Sequence, residues 1–494
     1  MKSIVEKPEL LYNNFKKSCQ RYTEEGKIKV GVWATIIRIV ALTALTYITA
    51  SNIYYGIIHG DMLVLYGTLM LTHALTIMCV AWFMYKSPAR GPAPDGNELV
   101  SIIVPIYNDA PLIRIVIETI FRSTYRNIEV FAVNDGSTDG TKEILDSLQA
   151  HYPRLNNIHK KNGGKRTAVA AGFYRSRGKY IIIIDSDSAM EPHAIEESIR
   201  TFHSNPDVGA IGGHCKVWNH NRTFLTKFQD AWYDYGYNLR RATESTFGSV
   251  LCCPGSFSAY RREAICDYVP YWEESKIQFS DDRMLTSYVL APPYAKQRWF
   301  LQHWGAASSS QSSFLQLPIL RQSASMDIKA QTSMHALSDG SFKEWKVVYL
   351  PTALHWSEAP ETLRKFMKQL LRWKKGSVRT NTLYVSPWFF KKNVSIFMKI
   401  LLYTDVMVTF TSPVVIVLIT FYYPVILHDY LATAKFFIGF LIAGFVYGVD
   451  YRLRDRNAKH WGCSTLMFLA QFFIFTWLLF PAILRIRKNE WLTR

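Results

Sequence analysis

The sequence predicts an α/β domain inserted between α-helical transmembrane segments, and three observations predict it. Apolar residues concentrate at the two ends: 30–58 and 62–84 are nearly free of charge, and from Ile396 onward most of the chain is oily. Each run is long enough to cross a bilayer, which takes about 20 apolar residues. The roughly 300 residues between them are polar, and within them short β-branched runs alternate with helical stretches, the pattern of a mostly parallel sheet covered by helices on both faces.

In chain order, residues 1–29 read as a charged cytoplasmic segment without a short cleavable signal. Residues 30–84 supply two spans, so both ends of the pair face one side, and the basic insert that follows makes that side the cytoplasm. Two further spans are expected over 396–449, about Phe397 to Leu427 and Tyr430 to Val449. The first is overlong and carries Asp405, which a lipid-facing helix would not tolerate, so it is expected to tilt and turn that carboxylate inward. Residues 450–494 contain a last oily run, 461–484, flanked on both sides by basic residues and interrupted by Pro481. An interfacial or re-entrant helix is expected there instead of a fifth span.

The chain has 57 Lys and Arg against 39 Asp and Glu, a net charge of +18. Basic flanks of cytoplasmic membrane segments and contact with anionic membrane lipid account for this surplus. No basic motif of a nucleic-acid module appears, so nucleic acid is excluded as a partner. Seven scattered cysteines, with Cys252 and Cys253 adjacent, form no metal or redox spacing and suit a reducing compartment.

In the insert (85–358), strands are expected at 99–105, 128–133, Tyr180–Ile184 and 208–213. Helices near Ala110–Phe121, Thr141–Leu148 and Arg166–Tyr174 fall between the first three. Ligands of such sheets sit at the C-terminal strand edge, where the candidate residues lie. NDGSTDG (134–140) reads as a turn and helix cap or as part of a site. Asn162-Gly163-Gly164-Lys165-Arg166 opens a helix, with glycines that let N–H groups approach an anion and two cations beside them. It lacks the spacing of a nucleotide-binding P-loop. Asp185 and Asp187 stand at the tip of an isoleucine-rich strand, where two neighbouring carboxylates repel unless a cation lies between them. A hard divalent ion shared with a diphosphate would remove that cost; the alternative is two solvated loop carboxylates.

VNDGSTDGT, NGGKRTA, DSDS, CCPGSFSAYRRE (252–263), SDDRMLT (280–286) and QLLRW (369–373) follow one another in the order of the processive family 2 glycosyltransferases, membrane enzymes that build polysaccharides from nucleotide sugars. The chain most resembles the hyaluronan synthases, with chitin and chitooligosaccharide synthases close behind. That resemblance implies a nucleotide-sugar domain of the GT-A-like class. It places Tyr107 and Asp135 on the uracil, Lys165 on the nucleotide, and Asp185 and Asp187 on the diphosphate through Mg2+ or Mn2+. Asp282 becomes the base that takes the acceptor hydroxyl's proton, with Asp281 and Arg283 beside it on the acceptor side. Within 359–395, an amphipathic interface helix, Glu361–Lys375, is expected to offer Gln369 and Trp373 to the acceptor and Arg372 to the diphosphate. The closing Trp491, Thr493 and Arg494 resemble a gating motif that closes over the nucleotide.

Four departures from the family pattern stand out. Residues 291–342, with the Ser/Gln patch ASSSQSSF, exceed the expected length and read as a mobile surface insertion. Ser280 replaces a usual Gly before the two aspartates, and Leu492 replaces one in the gating motif. Pro254 makes CPGSFSAYR lean toward chitin synthases. The expected function is polymerisation of hyaluronan from UDP-GlcNAc and UDP-GlcA, with the nascent polysaccharide exported across the plasma membrane. The alternatives are a chitin-type product from UDP-GlcNAc alone and a non-processive transfer to a lipid carrier.

Overall fold

The structure is a computed structural model and describes residues 32–274, 280–290, 345–390, 394–455 and 458–485. The N-terminal segment, the 291–342 insertion and the closing Trp491, Thr493 and Arg494 lie outside the described residues.

The insert folds around an eight-stranded sheet. Its strands are β1 (Val100–Ile106), β2 (Ile128–Asn134), β3 (Leu155–His159), β4 (Tyr180–Ile183), β5 (Ala189–Met190), β6 (Val208–Val217), β7 (Ser258–Arg261) and β8 (Lys346–Ser357), in the order β3-β2-β1-β4-β7-β6-β8-β5. β1 and β2 are buried along their whole length, which explains their mostly apolar composition: helices cover both faces of a parallel sheet. The charged member of β2, Glu129, is buried yet satisfied, accepting from Ser101 Oγ at 2.6 Å and from the Arg177 and Gly178 amides at 2.7 and 3.2 Å.

The expected α/β fold is present, but the sheet is mixed. β3, β2, β1 and β4 run parallel, whereas β7 is antiparallel to both β4 and β6, and β5 is antiparallel to β8. The reversed direction of β7 has a consequence for the edge where β4 ends. A parallel neighbour leaves the sheet at the edge where β4 ends, but an antiparallel one enters there. Ile183 pairs with Ser258, so the Cys252–Phe257 loop arrives beside the acidic tip of β4. β3, β5, β7 and β8 escaped the sequence reading because each is short, polar or separated from its partner by a long insertion.

Four helical segments are long and apolar enough to cross a membrane: Thr35–His59, Val64–Met84, Ile396–Ile426 and Tyr430–Arg454. The chain is an integral membrane protein. A further pair, Cys463–Phe473 and Phe475–Leu484, is bent by 44°. The break falls at Ile474 and not at Pro481, which sits in the first turn of the helix Leu479–Leu484, where a missing N–H leaves no bond unmade.

Buried charges join the spans to the domain. Arg38 donates to Asp450 Oδ1 at 3.0 and 2.8 Å. Arg454 bridges Asp450 and Asp234 at 2.5 and 2.6 Å, and Lys216 meets Asp455 at 2.7 Å. Asp405 of the third span lies 2.9 Å from His73 of the second and also pairs with Arg240 of the domain.

Replacing Asp450 leaves the buried Arg38 guanidinium without its counter-charge, a change that costs about 3 kcal/mol or more. Asp450→Asn is therefore expected to lower the Tm of the detergent-solubilised chain, and an unchanged Tm would show that this seam contributes little.

Candidate active site

A cavity of about 870 Å³ opens at the C-terminal strand edge. The ends of β1, β2 and β4 supply Tyr107, Asn108, Asp135, Asp185 and Asp187, and Lys165 stands at the start of the helix Lys165–Arg175. The opposite wall is Glu358–Thr362, which follows β8, and the face of the next helix that carries Lys365, Lys368, Gln369 and Arg372. Seven of the sequence candidates therefore meet in one space: Tyr107, Asp135, Lys165, Asp185, Asp187, Gln369 and Arg372.

The NDGSTDG stretch divides its labour. Asn134 Oδ1 accepts from the Ser137 amide at 2.9 Å, and Asp139 accepts from the amides of Ala110 and Thr141 at 3.1 and 3.2 Å. These residues build the turn and hold the helix starts. Asp135 turns inward and is 3 % exposed. It accepts from Lys160 Nζ at 2.7 Å and from the Gly163 and Gly164 amides at 3.0 and 2.7 Å.

Two expectations for the glycine loop are corrected by this geometry. The anion that the glycine amides reach is Asp135 itself, so the loop is fastened from within. Of the two cations, only Lys165 faces the cavity. Arg166 is buried, donates to the Trp272 carbonyl at 3.1 Å and pairs with Asp281 at 3.2 Å. Lys160 went unnoticed, although a lysine just before a glycine turn was a readable sign.

Lys165 Nζ pairs with the Asp185 carboxylate, and this attraction, added to weaker ones from Asp282 and Asp281, more than offsets burial and raises the amine's pKa. The space around the pair is kept open by Gly255, where a Cβ would lie 2.6 Å from Lys165 Nζ and 2.9 Å from Asp185 Oδ2. Among the described residues no group of three or more His, Cys, Asp or Glu could hold a metal ion. Asp185 and Asp187 nevertheless fit a hard cation as a partial donor set, because both are oxygen ligands on the cavity wall beside room that a side chain at 255 would fill.

Asp282, whose charge is felt by Lys165 on the cavity wall, stands in the first turn of the helix Asp281–Leu290. Its Oδ1 accepts from the Arg283 amide at 2.9 Å, and its Oδ2 lies 3.5 Å from Cys252 Sγ. Thr286 ties this helix to the Cys252–Phe257 loop, donating to the Asp282 carbonyl at 2.7 Å and accepting from the Cys253 amide at 2.9 Å. Ser280, immediately before the pair, has φ +57°. That is the left-handed region glycine enters without strain, so the departure noted at this position is a strained one.

QLLRW is split between two faces of one helix, Leu363–Phe390. Gln369 and Arg372, three residues apart, face the 870 Å³ cavity together with Lys365 and Lys368. Trp373, one residue on, points about 100° away and packs among Trp232, Tyr233 and Tyr237 with ring centroids at 5.5, 6.1 and 5.9 Å. Asp281, Asp282, Arg283 and Trp373 do not line the 870 Å³ cavity.

Residues 101–268 match the family described as glycosyl transferase family 2. Fold, strand-edge cavity and match together define the class: the chain carries a family 2 glycosyltransferase domain. Over 241 residues it is 32% identical to the hyaluronan synthase of Streptococcus pyogenes, covering 46% of this chain and 56% of that protein. Over 216 residues it is 32% identical to an N-acetylglucosaminyltransferase of Mesorhizobium japonicum, covering 41% and 50%. The chain thus spans about half the length of these curated relatives. Among solved structures, a mannosyltransferase from Pyrobaculum calidifontis in complex with GDP-Man and Mn2+ aligns with a TM-score of 0.47 at 15% identity, over 85% of this chain and 97% of that one. S. aureus TarS 1–349 aligns at 0.37 and 13% identity, over 75% and 90%. Both likenesses are too distant to transfer a property.

Burial pushes the Asp281 carboxyl up to about 6, against the pull of Arg166 and Lys165. The folded group then holds its proton to a higher pH than the unfolded one, so its contribution to stability falls as pH climbs from about 4 to about 6, by on the order of 3 kcal/mol. Asp281→Asn, which cannot ionise, is expected to gain Tm relative to wild type between pH 4 and pH 7. A constant difference across that window would show an ordinary carboxylate.

Proposed function

We propose that this chain is an inverting, processive glycosyltransferase that polymerises hyaluronan from UDP-GlcNAc and UDP-GlcA, with its catalytic domain on the cytoplasmic side of the plasma membrane and its spans forming the export path. The observation that carries this reading is the shared cavity wall. Strand-edge groups suited to a nucleotide diphosphate face Gln369 and Arg372 of a helix that precedes the Ile396–Ile426 span in the chain. A soluble transferase has no need of that helix.

In this reading Tyr107, 37% exposed at the cavity mouth, offers its ring to the uracil, and Asp135 shapes the floor by holding the glycine loop. Lys165 and Arg372 meet the diphosphate. Asp185 and Asp187 would hold Mg2+ or Mn2+ with oxygens of the diphosphate, and the ion would offset charge on the departing UDP. Asp282 takes the proton of the acceptor hydroxyl as it attacks the anomeric carbon, and a single displacement inverts that carbon. General-base help of this kind is worth roughly 10²- to 10⁴-fold. Trp373 and its aromatic neighbours give the acceptor sugar a flat apolar platform, with Gln369, Asp281 and Arg283 framing the acceptor side, and Trp491, Thr493 and Arg494 close over the nucleotide.

A chitin-type product from UDP-GlcNAc alone is the second reading, favoured by the N-acetylglucosaminyltransferase relative at the same identity and by Pro254. Membranes containing the chain, supplied with labelled UDP-GlcNAc with and without UDP-GlcA, separate the readings. Polymer that requires both donors supports hyaluronan, polymer from one donor supports chitin, and labelled lipid alone sinks processivity. Asp282→Asn is expected to lower transfer by roughly 10²- to 10⁴-fold while UDP still binds, and retained polymerisation would remove Asp282 from its role. Chelation of divalent ions is expected to weaken UDP binding to the wild-type chain.

A further inference from the structure

Two consecutive arginines at the head of the helix Arg240–Thr246 are treated very differently by the fold. Arg240 pairs with Glu244 at 3.1 Å and with Asp405. Arg241 is more deeply buried, at 5% exposure, yet its Nη1 meets no hydrogen-bond acceptor among the described residues. One face of its guanidinium lies over the Tyr237 ring at 4.4 Å, which contents the π surface but gives Nη1 no acceptor. A desolvated cation in that condition is costly unless an anion arrives.

Its neighbours indicate where such an anion would lie. Tyr237 packs against Trp373 with centroids at 5.9 Å. The charge of Arg241 is also felt by the thiols of Cys252 and Cys253, and Cys252 Sγ lies 3.5 Å from Asp282. Arg241 therefore belongs to the aromatic cluster around Trp373, on the side of the Cys252–Cys253 loop that touches Asp282, and the walls of the diphosphate cavity do not include it.

We propose that Arg241 is the specificity-determining residue that reads the carboxylate of a uronate in the acceptor chain. A guanidinium edge matches a carboxylate bidentately, whereas a neutral N-acetylhexosamine would leave the buried charge uncompensated. The inference rests on the polymerase reading above and sharpens it toward an acidic product.

The test uses the full chain in detergent, with a hyaluronan hexasaccharide and its carboxyl methyl ester as competing acceptors. Wild type is expected to favour the acid by about tenfold or more, the worth of a charge-assisted hydrogen bond. Arg241→Gln is expected to bring the two to parity with UDP affinity unchanged, and Arg241→Lys to retain part of the preference. Wild type indifferent to esterification, or Arg241→Gln still favouring the acid, would overturn the proposal. The wild-type comparison decides even if Arg241→Gln does not fold. Polymer formed from both donors by a chain blind to the ester would reject Arg241 alone, whereas absence of any polymer would reject the polymerase reading itself.

Discussion

The site depends on a constraint of the sheet: strands that run parallel and in register must finish at the same edge. β2, β1 and β4 are locked side by side, so the residues after Ile106, Asn134 and Ile183 emerge together whatever their chemistry. The antiparallel β7 then delivers the Gly255 loop to that edge, where the Gly255 carbonyl accepts the Asp185 amide at 3.0 Å. Burial of apolar strand interiors, at roughly 25 cal/mol per Å², fixes this alignment and tolerates the repulsion of acidic groups clustered at the tips.

The charges at that edge are not equivalent. Asp135 is consumed in fastening the glycine loop, Asp139 in holding helix starts, and Asp281 in a buried pair with Arg166. Asp185 and Asp187 remain on the cavity wall beside Lys165. A sequence shows several aspartates of equal promise; their partners distinguish scaffold from chemistry. Lys365, Lys368 and Arg372 add positive charge to the opposite wall of the same cavity.

The junction with the membrane follows related physics. Arg38, Asp450, Arg454 and Asp234 form a chain of partners reaching from the first span to the domain, and Asp405 joins two spans to Arg240. Ionic contacts in a low-dielectric seam are sensitive to geometry, so they hold the domain in one orientation on the bundle. The helix Leu363–Phe390 can then present Arg372 to one space and Trp373 to another.

Composition and periodicity alone determined the division into apolar ends and an α/β insert, because burial in lipid and burial in a sheet leave different run lengths. They also determined that the candidate residues sit at strand ends, since β-branched runs stop at turn residues. Tyr107, Asp135, Asp185 and Asp187 proved to share a cavity for that reason. What tertiary structure decided was pairing: that the glycine amides serve Asp135, that Arg166 turns inward, that β7 reverses, and that Arg241 is buried with a donor unmatched among the described residues. None of these is local. Each depends on which distant segment arrives within about 3 Å, the reach of a hydrogen bond, and chain order carries no record of that distance.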